Sequence, residues 1–199
     1  VSESKHFSEL TPAAERLVDV AQGLIQRGGY NGFSYEDIAR VVGIKKPSIH
    51  HHFPTKADLV TVVTQRYMHR FREALLRIEG QQARAPERLL AYAELFEQTY
   101  GAQRQLCLCG MLGAEADAVP AEVAQEVQQF FKTNLQWLTD VIEQGQRQNS
   151  LRKEVDARVH AQLLLCALEG AMVVGRAAGS AIHQGPQALG AALIHSLRA

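Results

Sequence analysis

The chain has 199 residues, 46% of them hydrophobic and 21% charged, which is an ordinary globular composition and not a disordered one. Basic and acidic residues number 21 each, so a strongly basic, chromatin-like protein is excluded while a local basic patch is not. Three Cys and no secretory-looking start argue for a reducing, cytoplasmic setting without a disulfide framework, and the apolar stretch over 161–174 is broken by Gln162, Glu169 and Gly170, too soon to span a bilayer.

Apolar residues recur at helical spacing almost throughout, and no period-2 strand stands out. The first helix is expected over 11–28. Leu17, Val18, Ala21, Leu24 and Ile25 share a face, and Thr11-Pro12 supplies a cap and a first-turn Pro. Ser34 followed by Asp37 opens a short helix that turns Ile38, Ala39 and Val42 inward and stops at Gly43. A third short helix starts near Pro47 and is broken by Pro54. Thr55 caps a long helix to about Glu79. Helices follow over 86–100, 107–118, 120–146, 156–179 and 186–197, with Gly101 and Gly110 bracketing one junction. The expected fold is all-α, about nine helices without a sheet. It divides into an amino-terminal helix-turn-helix domain over 1–56 and a helical bundle over 57–199.

Charge is uneven along the chain. Residues 45–84 carry net +5 and residues 85–146 carry net −6. This fits a polyanion partner at one end of the molecule, and equally a set of solvated helix faces.

Residues 33–59 read FSYEDIARVVGIKKPSIHHHFPTKADL. Two short helices about a Gly turn make a helix-turn-helix. Gly43 stands where the backbone reverses, and Ile44 and Ile49 plug the space between the helices. The outward side of the second helix is then Lys45, Lys46, Ser48, His50 and His51, donors that reach base edges and phosphates. The helix is about 10 Å long and fits one major groove. Neighbours on a helix point about 100° apart, so His50, His51 and His52 cannot converge on one metal ion. No cofactor is implied.

This stretch resembles the amino-terminal domain of the TetR family of bacterial transcriptional regulators. Gly43, Ile44, Ser48, Ile49, His52, Phe53, Thr55, Lys56, Asp58 and Leu59 carry the likeness. Lys45 stands where the family often has Ser, and His50 where it often has Tyr. The resemblance implies a homodimeric repressor, bound to a palindromic operator in double-stranded DNA and released by a small-molecule effector. It implies base or phosphate contacts from Lys45, Lys46, Ser48, His50 and His51. It also implies phosphate contacts from Thr55, Lys56 and Tyr35, with His52 and Phe53 packing the domain.

The aromatic and Met residues of the second module read as core by default. The resemblance makes some of them the lining of an effector cavity: Phe71, Phe96, Tyr100, Met111, Phe131 and Trp137. It also makes the last two helices a dimer interface. The small residues Ala167, Gly170, Ala171, Gly175 and Ala178 are expected there, because small side chains let helices approach closely. Cys107 and Cys109 lie near a helix amino terminus, where a thiolate is favoured; the resemblance implies an electrophile or oxidant sensor there, and the alternative is two buried structural thiols. Cys166 is expected to be packed. An all-helical enzyme is the remote alternative, since no GxSxG, GxxxxGK[ST], HExxH or CxxC motif occurs.

Overall fold

The computed structural model describes residues 7–181 and 184–199, apart from the side chain of Ser180. Among them nine α-helices form: α1 (Pro12–Gly28), α2 (Tyr35–Val42), α3 (Lys46–His52), α4 (Lys56–Gln81), α5 (Ala85–Tyr100), α6 (Leu108–Ala114), α7 (Ala121–Arg147), α8 (Ala157–Ala178) and α9 (Pro186–Ser196). Single 3-10 turns occupy Phe7–Glu9 and Gly179–Ala181. There is no strand among the described residues, only a bridge pairing Leu151 with Arg198.

Local chemistry sets the helix ends. The Thr11 hydroxyl accepts the amide of Ala14, and the Asp156 carboxylate accepts that of Val159, each meeting a first-turn donor the helix cannot use. Thr55 and Asp58 cap α4 reciprocally: Thr55 N–H donates to Asp58 Oδ2 at 2.9 Å, and Asp58 N–H donates to Thr55 Oγ1 at 3.1 Å. Gly43 ends α2 at φ 77° and ψ 32°, the left-handed conformation that a side chain disfavours. One expected helix is shorter than its pattern. Residues 107–118 give only Leu108–Ala114, and Gly110 lies inside that helix instead of beside it.

The helices pack as two compact units. One joins the chain up to Phe71 with Leu108–Phe130, and the other joins Arg72–Cys107 with Phe131–Ala199. The helix-turn-helix, expected as a domain over 1–56, is thus accompanied in its unit by α6, which packs on α1. The first core is built from Leu17, Val18, Ile25, Ile38, Ile49 and Leu59, all fully buried. At its edge Arg66, itself buried, pairs with Asp19 at 2.5 Å and ties α4 to α1.

In the second unit α5, α8 and α9 pack together around Leu89, Tyr92, Leu164, Leu168 and Ile194. Gly190 permits the approach: a Cβ there would lie 2.8 Å from the Ala93 methyl and 3.0 Å from Leu168. An 18-residue window of α8 has a mean hydropathy of 1.4, enough by length and composition alone to cross a membrane, a test that the core helix of a soluble protein also passes. Of that window 39% is buried inside the protein.

Candidate nucleic-acid interface and effector site

The amphipathic pattern of α3 puts Ile49 wholly in the core and leaves the rest of the helix outside. Lys45, Lys46, Ser48, His50 and His51 are all exposed on or at the start of α3. Three of them have side-chain neighbours in the chain, His51 meeting the His52 ring at 5.6 Å. Lys46 Nζ lies 3.9 Å from Glu36, and His50 Nδ1 lies 3.1 Å from the Pro54 carbonyl, its ring set edge-on to Tyr35. A shallow cleft of ≈ 260 Å³ runs beside α3, lined by Phe33, Ser34, Tyr35, Lys46, His50 and Lys56.

Three residues expected at phosphates have their polar groups engaged within the chain. Tyr35 is 6% exposed, and its hydroxyl donates toward the carbonyls of Phe53 (2.9 Å) and Thr55 (2.6 Å). Burial, with Asp58 nearby, pushes its phenol well above the ordinary value. It braces α2 against the end of α3. The Thr55 hydroxyl is engaged with Asp58 in the α4 cap. Lys56 Nζ donates to the Phe33 carbonyl at 2.5 Å and lies over the rings of Tyr30 and Phe33, 4.6 and 4.2 Å from their centroids. Burial lowers its pKa, partly offset by Glu115 and Asp37. His52 is half-buried and Phe53 is buried.

The expected effector-lining residues fall in both units. Phe71 and Met111 belong to the first, where Phe71 meets the Phe130 ring edge-on at 5.2 Å. Phe96, Tyr100, Phe131 and Trp137 belong to the second. There Phe96 and Trp137 both pack on Tyr92, each with centroids 5.4 Å apart. Tyr100 is buried against α8, so that a Cβ on Gly175 would lie 2.9 Å from its hydroxyl.

The small residues expected at the dimer surface do not share one exposed face of α8. Gly175 and Ala171 are buried within their own chain, and Ala167 and Ala178 are half-buried. Of the two glycines among the five, Gly170, also half-buried, has open space where a Cβ would stand. The face of α8 that points outward carries Val159, Leu163, Val173 and Val174, joined by Leu189 and Leu193 of α9. Cys166, expected to be packed, is exposed on the same face of the isolated chain. Cys107 and Cys109 are both buried, unlike accessible reactive thiols.

Comparison with known proteins sets these features in a lineage. Residues 17–63 match the family model described as bacterial regulatory proteins, tetR family, and residues 85–186 match the model described as tetracyclin repressor-like, C-terminal domain. A TetR-family transcriptional regulator from Agrobacterium tumefaciens is 34% identical, superimposes with a TM-score of 0.84, and is aligned over 94% of this chain and 97% of its own. The chain belongs to the TetR family. A second TetR regulator, from Legionella pneumophila, is 26% identical with a TM-score of 0.83 over 96% of this chain and 100% of its own. The HTH-type transcriptional repressor DhaR of Mycobacterium sp. (strain GP1) is 24% identical over 82% of each chain.

This TetR-family regulator also holds polar residues inside its bundle that no sequence motif singled out. Tyr92 donates its hydroxyl to Asn134 Oδ1 at 2.8 Å, and both residues are buried. At the surface of the same unit the half-buried Trp137 donates its indole N–H to exposed Glu79 at 2.7 Å. Glu169 lies beside Cys107, whose thiol hydrogen-bonds its carboxyl. The one signal in the sequence was an acid in the middle of an apolar helix.

Proposed function

We propose that this TetR-family regulator is a cytoplasmic homodimeric repressor. Two copies of α3 enter successive major grooves of a near-palindromic operator, and a small molecule held in the helical bundle releases them. The outward face of α3 carries the reading. Its lysines, hydroxyl and imidazoles point away from the core, while the polar groups of Tyr35, Thr55 and Lys56 are engaged within the domain. The first set supplies base and phosphate contacts, and the second holds α3 at a fixed angle on its unit.

Dimerisation uses the apolar face of α8 and α9. Val159, Leu163, Cys166, Gly170 and Val173 recur at three- and four-residue spacing along one side of α8. An exposed apolar face marks an interaction surface, and pairing two copies supplies the two α3 helices that a palindromic site needs. Effector binding then shifts the population between a dimer that fits the operator and one that does not.

Retention of duplex DNA, titrated against salt, tests this reading. Steep loss of affinity with rising salt is expected for a protein that neutralises several phosphates. Retention that ignores salt, or no retention at all, contradicts it.

A further inference from the structure

Glu169 is the one acidic residue of α8. Its Oε1 is buried and has no hydrogen-bond partner. Few buried acceptors in native proteins are left so, because the lost hydration is not returned. The groups around it are already engaged. The Cys107 thiol reaches the carboxyl, and the Tyr92 hydroxyl, near enough for the carboxylate to act on it, is held by Asn134. The ring of Tyr92 packs on that of Phe96 and on that of Trp137. An acceptor lacking a donor therefore lies near Tyr92, whose ring packs on those of Phe96 and Trp137. Aromatic faces attract cations, and a lone carboxylate needs a donor.

We propose that Glu169 is the polar anchor of the effector site, and that the effector is a small apolar molecule carrying a protonated amine. The amine donates to Oε1 while the apolar body lies among Tyr92, Phe96 and Trp137. This rests on the reading that the bundle takes an effector, and it names the chemistry of that effector. Carboxylate ligands are disfavoured wherever Glu169 is ionised, since they bring a like charge.

Burial holds the Glu169 carboxyl up at about 7. An ammonium group arriving beside it favours the ionised form, so binding below that pH expels the proton. The titratable groups that act on it are Cys107, ahead of α6, and Tyr92 on α5; His195 of α9 is exposed.

Trp137 is the sole tryptophan, so its emission reports on the site. The full chain is titrated with phenethylamine and cyclohexylmethylamine, and with their matching alcohols and carboxylates. The amines should change Trp137 emission saturably, the alcohols should bind at least about tenfold more weakly, and the carboxylates should not bind. Glu169→Gln should weaken the amines by about tenfold and leave the alcohols unchanged. Calorimetry of the parent chain in two buffers of different ionisation enthalpy, at about pH 6, should show close to one proton released per amine, a readout that does not depend on the variant folding. Amines that bind no better than alcohols, or bind without proton release, overturn the assignment. The same samples are assayed for salt-dependent duplex retention. Amine binding without retention leaves the anchor standing and sinks the regulator reading; retention without amine binding does the reverse.

Discussion

Glu115 and Asn31 lie 84 residues apart in sequence, yet the Glu115 carboxylate accepts the Asn31 side-chain amide at 3.1 Å and its backbone amide at 3.3 Å. It also takes the backbone amide of Tyr30. One side chain just beyond α6 thus grips the turn between α1 and α2. That turn leads directly into the helix-turn-helix. Glu115→Ala leaves the turn amides without these acceptors and should destabilise the unit by about 1–3 kcal/mol. Urea unfolding measures the cost, and hydrogen exchange at Tyr30 and Asn31 should speed up first. Unchanged exchange at both positions would show that the grip does not hold in solution.

Lys45 and Lys46 should each contribute to the salt dependence of DNA binding. Neutralising one phosphate contributes about 0.9 to the slope of log affinity against log salt. Lys45→Ala and Lys46→Ala should therefore each flatten the slope by about one unit. The 3.9 Å pair between Lys46 and Glu36 is exposed and too weak to withhold the lysine. Lys56→Ala should behave differently, lowering stability while leaving the slope near the parent value, because its ammonium is seated on the Phe33 carbonyl and two rings. A slope moved by Lys56→Ala alone would place the phosphate contact there instead.

The outward face of α8 predicts which substitution separates the protomers. Leu163 is 52% exposed in the isolated chain, so Leu163→Glu should give monomers by sedimentation while helicity is kept. Gly175→Leu should instead disturb the unit itself, since its side chain would enter the space of Tyr100. A Leu163→Glu protein that remains dimeric would place the interface elsewhere.

Glu169 should leave a mark on stability against pH. Its folded value of about 7 stands above the ordinary 4.5. Between those values the folded state holds a proton that the unfolded state has lost, so stability falls as pH rises across the window. The fall is at most about 3 kcal/mol. Glu169→Gln cannot ionise and should gain in Tm over the parent at about pH 8, with the difference closing toward pH 5. Parallel Tm curves would show that the carboxyl is not held in its acid form.

The helix borders were legible because their causes are local. Thr11, Ser34, Thr55 and Asp156 are caps whose partners lie three residues on, and Gly43 is a left-handed stop. Side-chain direction was harder to read. Tyr35 shares a face with Ile38 three residues later, and that spacing pointed inward, but its aromatic hydroxyl at the edge of a helix-turn-helix suited a phosphate equally well. The small residues of α8 belong to two faces. Ala171 and Gly175 follow Leu164 and Leu168 at helical spacing into their own bundle, while Gly170 follows Val159, Leu163 and Cys166 outward. Composition alone merged the two. Glu115 and Glu169 were not legible, since each acquires its role from residues that only the tertiary fold brings near.

Selection of retained sequences from a random duplex pool tests the central claim most directly. Two α3 helices held by one symmetric assembly should enrich an inverted repeat whose half-sites are spaced by the turn of the double helix, and raising the salt should release it steeply. Enriched sequences without two-fold symmetry, or duplexes that stay bound as salt rises, would contradict the account.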